Sequence, residues 1–412
     1  MKAVCILLQN HYDMDIRVRR KAEALVAEGY EVDVLALQSP FSKSKNYNLS
    51  GVNVETVSLG KKRGSLIRYT FEYAAFFIWA FIKLSTRMSR RQYAIVDVNN
   101  LPDFLIFAGA YAKWRGAKLV LDMHEITPEF YISKYGVKQD SFLISFLKWV
   151  ERMSFDFADS VITINEPLTQ LLVSRGLPIG KTTEVMNSVD ESLFDKVSES
   201  PNIANASEDR PEFVMMYHGT LTHLYGLDIA VQALGLAQAE MPGVQFWILG
   251  DGPERPDLEA LAAKVGLANK VRFVGKVRPE DVPQWLKVCD LGVLATRRDV
   301  FLDFSFSNKL SEYIILGKPV ICSRLKAIRH YFSEDALAYF EPGDAKALAS
   351  KMVRLYQDSQ LRVSLANKAL IEYKPIRWEV MKARYLQLIA SLAVCESNHK
   401  SKQQPEAFAK AR

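Results

Sequence analysis

The chain has 412 residues, 49% hydrophobic and 24% charged, with a formal net charge of +6. That length favours two domains, and no apolar run reaches the roughly eighteen residues that a membrane span needs. Four scattered cysteines (Cys5, Cys289, Cys322, Cys395) show neither CxxC nor metal-ligand spacing, which excludes a zinc module and fits reduced thiols in a cytosolic protein.

The N-terminus MKAVCILLQNHYDMD has a short apolar run followed at once by polar residues and lacks a small-residue cleavage site. It predicts a first strand, not a signal peptide. Residues 15–28 follow as a helix with Ala22, Leu25 and Val26 on one face; Gly29 ends it, and EVDVLAL is the next strand. Strand, helix and strand at this spacing form a βαβ unit and imply a parallel sheet. The alternation continues through VNVETVSL, a long helical stretch, AIVDVN, a helix through Phe107 and Ala112, KLVLD, another helix, SVITIN and TTEVMN. One doubly wound domain is therefore expected over residues 1–195.

Within it, residues 61–91 hold Lys61, Lys62, Arg63, Arg68, Lys83, Arg87, Arg90 and Arg91 against one acid, Glu72. Between the basic clusters lies YAAFFIWAFI at Tyr73–Ile82, too short to span a bilayer but suited to the surface of an anionic leaflet. The plainer alternative is a helix packed on its sheet with a solvated basic end. Nucleic acid is not expected as a partner, because neither a stacking platform nor a recognition helix accompanies the patch.

Residues 196–211 have almost no large apolar side chains and read as a linker. A second alternation fills 212–375: FVMMYHG, a helix from Leu227, VQFWILG, a helix through Leu258, KVRFVG, a helix around Trp285, LGVLAT, the segment SFSNKLSEYIILGKP, PVICS and LAYFEP. Residues 376–395 predict a closing amphipathic helix, and 396–412 a polar, disordered tail.

The segment from Ser305 to Pro319 carries the sharpest chemistry. A helix starting at Ser307 or Asn308 presents unpaired backbone N–H groups and a positive dipole end, an anion site to which Lys309 adds a full charge. Glu312, one turn further in, suits the hydroxyls of a ribose. Together these describe a nucleotide diphosphate; the alternative is an ordinary amphipathic helix capped by Ser307. HGTLTHLYGLD places Gly219 directly after a strand, and WILGDGPE places Gly250 and Gly252 after the next. Glycines there let backbone approach a ligand at the carboxyl ends of parallel strands, or serve only as turns. Neither loop is G-x-G-x-x-G, which argues against a nicotinamide dehydrogenase.

From Met1 to about Leu392 the chain resembles the glycosyltransferase family 4 enzymes of GT-B fold. The residues that carry the resemblance are D-x-R-V at Asp15–Val18, NNLPD at Asn99–Asp103, LDMHEITPE at Leu121–Glu129 and MNSVD at Met186–Asp190. They continue with YHGTL…YGLD at Tyr217–Asp228, GDGP at Gly250–Pro253, and NKLSEYIILGKPV with its N-K-L-x-E-Y core. The resemblance implies two Rossmann-like domains facing each other across a cleft, with a nucleotide-diphosphate sugar on the second domain and an acceptor on the first. It further implies transfer with retention of anomeric configuration, no cofactor and no metal.

Carried over by position, the resemblance assigns catalysis to His124, Lys309 and Glu312. It places the donor on Gly219, Thr220, Gly250, Gly252, Lys276, Val277, Ser307, Asn308, Lys309, Leu310 and Glu312. Arg17, Asp122 and Glu125 fall on the acceptor side. Two positions depart from the family pattern. The first glutamate of E-x7-E falls at Phe304, with Asp299 and Asp303 nearby, and the diphosphate-binding Arg and Lys of many relatives fall at Thr220 and Tyr225. Lys309, Arg297, Arg298 and Arg324 are the candidates to replace that charge.

The expected function is transfer of a sugar from a UDP- or GDP-linked donor to a glycan or lipid-linked glycan, on the cytoplasmic side and at the inner face of a membrane. Two alternatives stand beside it: a nucleotide-sugar 2-epimerase of the same fold, and a sugar-nucleotide-binding subunit without catalysis, given Phe304.

Overall fold

The computed structural model describes residues 2–41, 44–59, 66–195 and 211–400. They form two compact units, Met1–Met186 together with Met381–Arg412, and Asn187–Val380. The first holds β1 (Ala3–His11), β2 (Glu31–Leu37), β3 (Asn46–Leu49), β4 (Val52–Val57), β5 (Ile95–Asn99), β6 (Lys118–Met123), β7 (Ser160–Thr163) and β8 (Thr182–Glu184). Their order is β3-β4-β2-β1-β5-β6-β7-β8, parallel throughout except for the β3–β4 hairpin. The central strands are covered on both faces, so they read as largely apolar runs; β5 is buried from end to end, Asp97 and Asn99 included.

β3 is the strand that sequence reading does not anticipate. NYNL alternates exposed and half-buried residues at the sheet edge, and its partner is reached by a two-residue turn with Ser50 and Gly51 both at positive φ.

The second unit holds β9 (Phe213–His218), β10 (Val244–Leu249), β11 (Val271–Gly275), β12 (Leu291–Leu294), β13 (Val320–Ser323) and β14 (Ala338–Phe340). All are parallel, in the order β11-β10-β9-β12-β13-β14. Strand order reverses between β9 and β12 here and between β1 and β5 in the first unit. Crevices at the carboxyl ends of such switch points are where doubly wound folds bind ligands.

The unit boundary lies at Met186, earlier than the expected 195, because Ser188 already donates to the Ile376 carbonyl within the second unit. The expected closing helix runs Trp378–Lys400, past 396 where a disordered tail is expected; residues 401–412 and the linker 196–210 lie outside the described residues. From Met381 onward this helix is part of the first unit. Met381, Tyr385, Ile389 and Ala393 are buried, Met381 Sδ accepts from Met186 N at 3.2 Å, and Lys2 Nζ donates to Ala393 O at 3.2 Å.

The helix Leu66–Arg90 packs Phe76, Ala80, Leu84 and Met88 inward. Three cations of the basic stretch serve this docking: Lys83 binds Glu55 (2.6 Å), Arg87 binds Glu55 (2.7 Å) and Asp33 (3.3 Å), and Arg91 binds Asp33 (3.3 Å). The C-terminal half of the stretch is thus a helix tied to its own sheet; Lys61, Lys62 and Arg63 lie outside the described residues.

Candidate active site

In the second unit, two loops and one helix end meet at the switch point. Gly219 follows β9 with φ 127°, and a Cβ there would strike the Lys309 side chain; Gly250 follows β10 with φ 133°, and its Cβ would strike the Gly219 carbonyl. A Cβ on Gly252 would meet the Leu221 carbonyl. The two loops therefore lie backbone against backbone, tied by Leu221 N to Asp251 O (3.1 Å) and by Glu254 N to Leu221 O (3.2 Å). Gly250 N donates to Gly275 O at 2.7 Å, which brings Lys276 and Val277, next after β11, to the same edge.

The helix Asn308–Ile315 connects β12 to β13, so its N-terminus opens at the carboxyl edge. Ser307 occupies the N-cap position but its side chain makes no capping bond, so the ordinary Ser-capped helix is not what forms. Asn308 Oδ1 is buried with no hydrogen-bond partner among the described residues. Leu310 does not belong to the site: its side chain is in the core and its N–H donates to Ser307 O at 3.1 Å.

Lys309 Nζ lies 4.2 Å from the centre of the Tyr225 ring and 5.7 Å from that of Tyr217. Burial lowers its pKa and the Glu312 carboxylate opposes that effect. A cation held against aromatic faces, with no hydrogen bond to another described residue, is prepared to receive an anion. The other candidate cations are engaged. Arg297 binds Asp228, Arg298 donates to Arg324 O, and Arg324 binds Glu334 and Glu341. Asp303 and Asp299 are likewise occupied, Asp303 by Lys326 N (3.4 Å) and Asp299 by Phe301 N (2.9 Å), while Phe304 lies under Lys326. Thr220 contributes its carbonyl, which accepts from Tyr217 Oη at 3.0 Å.

Glu312 has a partner that sequence reasoning missed. His218 Nε2 donates to Glu312 Oε2, and Tyr313 Oη lies 3.1 Å from His218 Nδ1 while donating to Met216 O at 2.7 Å. The chain Met216–Tyr313–His218–Glu312 fixes the orientation of the Glu312 carboxylate. The only sequence signal was the place of His218 in the YHGTL motif, which says nothing of what it faces.

In the first unit, His124 follows β6 and lines a cavity of about 500 Å³ with Arg17, Glu125, Asn10, Asp15 and Tyr73. Asn100 builds the loop: its Oδ1 accepts from the N–H of His124 (2.8 Å) and Glu125 (3.2 Å), and its Nδ2 donates to Glu125 O (2.6 Å) and Asp103 Oδ1 (3.0 Å). Arg17 faces the cavity paired with Asp15 at 2.9 Å; burial pushes the Asp15 carboxyl up, but Arg17 and Asn10 hold it below the usual range.

Asp122 is not on the acceptor surface. It is fully buried beneath His124, 3.2 Å from Nε2, and ion-paired with Lys21. Lys21, on a helix face that reads as apolar, also reaches Asn99 Oδ1 (3.3 Å) and Asp97 (3.8 Å). His124 Nε2 is 3.1 Å from Asn99 Oδ1, whereas His124 Nδ1 is buried with no partner among the described residues. Burial first, then Arg17 and Lys21, hold the His124 pKa well below its ordinary value. Tyr385 of the C-terminal helix completes this cluster, donating to Asp97 at 2.8 Å.

Two parallel doubly wound units, each with its cluster at the carboxyl switch point, define the GT-B architecture of glycosyltransferases. Residues 14–188 match the family described as Glycosyl transferase 4-like domain, and residues 212–358 match Glycosyl transferases group 1. The chain belongs to glycosyltransferase family 4. Among curated proteins it is 27% identical over 209 residues to the lipopolysaccharide core biosynthesis glycosyltransferase LpsE of Rhizobium meliloti, covering 50% of this chain and 54% of that protein. It is 22% identical over 228 residues to the alpha-D-kanosaminyltransferase of Streptomyces kanamyceticus, covering 54% and 57%. The chain thus spans little more than half the length of these relatives. Among solved structures, sucrose-phosphate synthase from Thermosynechococcus elongatus superposes with a TM-score of 0.74 at 19% identity, over 96% of this chain and 100% of that one. HepE from Anabaena, in complex with UDP, superposes with a TM-score of 0.70 at 18% identity, over 95% and 100%. These two likenesses are of fold.

Proposed function

We propose that the chain transfers a sugar, with retention and without a metal, from a nucleotide diphosphate to a glycan or lipid-linked glycan in polysaccharide or glycolipid assembly. The observation that carries this reading is the Asn308–Lys309 helix end, with an orphaned Asn308 Oδ1 and an available Lys309 Nζ, set against the Gly219 loop and one turn from the braced Glu312. HepE, the structural neighbour solved with UDP, and LpsE, named for lipopolysaccharide core biosynthesis, support the donor and acceptor classes.

Breaking the anomeric C–O bond sends its electron pair to the diphosphate, where about two units of negative charge gather; preorganised donors and Lys309 stabilise that charge. The acceptor oxygen attacks the same face of the sugar, and its proton passes to the departing phosphate oxygen. The sugar thus moves to the acceptor and the nucleotide diphosphate leaves with the proton. Glu312 orients the ribose. His124, whose Nδ1 lone pair has no partner among the described residues, accepts from a sugar hydroxyl. Acceptors anchored in an inner leaflet would be reached from the cytoplasmic side.

Lys309→Met tests the reading. Nucleotide affinity by calorimetry is expected to fall about 10–100-fold, the loss of a hydrogen bond to a charged group. The unliganded variant is expected to melt higher than the parent, because a cation whose pKa is lowered on folding opposes folding while charged. A parent that binds neither UDP nor GDP, or a product with inverted anomeric configuration by NMR, overturns the proposal. Isomerised donor would favour the epimerase, and binding without turnover the non-catalytic subunit. Release of nucleotide undiminished by EDTA is expected.

A further inference from the structure

The helix Phe142–Phe157 is built inside out. Its buried face carries Glu151 and Ser154 beside Ile144 and Phe155. Phe142, Phe146, Trp149 and Met153, spaced as one helical stripe, line the open side at 86%, 46%, 57% and 41% exposure, and the Phe146 and Trp149 rings stack at 5.8 Å. A helix facing water shows the reverse pattern.

The helix Leu66–Arg90 also turns Phe71, Ile78 and Ile82 outward, and Trp114 stands exposed on the helix Ala110–Trp114. The connections β4 to β5, β5 to β6 and β6 to β7 all step the same way across the sheet, so right-handed crossovers lay their helices on one face. Phe77 meets Phe104 at 5.9 Å and Phe107 meets Phe157 at 5.0 Å, joining the two long helices through the segment Asp103–Gly109. The outward aromatic residues therefore belong to one surface, of a kind soluble monomers rarely leave open.

Its charges select the occupant. Arg90, Lys138 and Arg152 are exposed on the same helices and their approach, with Asp140 and Asp156 as the exposed acids. A second copy would bring the cationic margins together, whereas an anionic headgroup layer complements them and takes Trp and Phe at its boundary. Glu72 and Tyr73, next to Phe71, line the first-unit cavity, so this surface adjoins the acceptor pocket.

We propose that the outer face of these helices, led by Phe142, Phe146 and Trp149, docks on an anionic bilayer. The proposal deepens the lipid-linked reading of the acceptor and rests on it, but moves the principal contact from the basic run 61–91 to the inverted helix.

The test is co-sedimentation of the full chain with phosphatidylcholine vesicles with and without phosphatidylglycerol, comparing the parent with Phe142→Ser/Phe146→Ser/Trp149→Ser. The parent is expected to sediment with anionic vesicles and the variant to lose about tenfold or more in partitioning, with an unchanged thermal midpoint. Phe142→Asp alone, at the most exposed position, is expected to show a smaller loss in the same direction. Three results overturn the proposal: no vesicle binding by the parent, equal binding by the triple variant, or a concentration-dependent dimer by light scattering that the triple variant abolishes. Turnover of a detergent-dispersed lipid-linked acceptor separates the two readings. If docking alone is wrong, turnover persists while vesicles go unbound. If the acceptor reading is wrong, vesicles are bound and the lipid-linked acceptor is not turned over.

Discussion

His124 owes its chemical state to residues beneath it. The Asn99 amide is oriented by two neighbours, with Oδ1 taking Lys21 at 3.3 Å and Nδ2 facing Asp97 at 3.4 Å, so His124 Nε2 must be the donor at 3.1 Å. The ring is then a neutral Nε2–H tautomer whose buried Nδ1 lone pair has no partner among the described residues. Burial and the cations Arg17 and Lys21 depress its pKa well below 6.5, so the native ring refuses a proton that the unfolded chain accepts. Stability due to this group is therefore present above 6.5 and lost as pH falls below it. Urea titrations of His124→Asn are expected to show a smaller loss between pH 6.5 and 5 than the parent. The same variant is expected to lose about 100-fold in kcat, and the parent's kcat profile to show no limb at 6.5.

At the scale of elements, the candidate site of the second unit is a junction of loops whose shape depends on missing side chains. Gly250 combines φ 133° with a Cβ direction blocked by the Gly219 carbonyl, so Gly250→Ala must push the two loops apart. The expected result is a destabilisation of about 1–3 kcal/mol in chemical denaturation, with loss of nucleotide binding. This junction was legible in the sequence because it is local: glycines follow apolar strand runs, and NKLSE opens a helix. The parallel strands were legible for the same reason, as runs buried on both faces. β3 was not, because a polar edge strand has no such signature. Nor were the bracing contacts, since His218 and Glu312 are 94 residues apart and Tyr385 and Asp97 are 288 apart. The inward Lys21 was hidden by a different cause: a cation on an otherwise apolar face is recognisable as buried only once Asp97 and Asp122 are placed around it.

For the molecule as a whole, the first unit is discontinuous, with the second unit inserted before the segment that completes it. Met381, Tyr385 and Ile389 are fully buried, and the Tyr385 hydroxyl is bonded to Asp97 in the ionic cluster under His124. Ending the chain at Val380 is expected to remove three core side chains at about 2–5 kcal/mol each, leaving the first unit unfolded or insoluble. Residues 187–380 expressed alone are expected to keep a cooperative melting transition, since their sheet draws every strand from that stretch. Limited proteolysis and calorimetry of the two shortened chains read both outcomes. During synthesis the order of maturation is then reversed relative to the order of emergence. The ribosome releases all eight strands of the leading sheet long before the helix that seals it, so the trailing sheet can settle first.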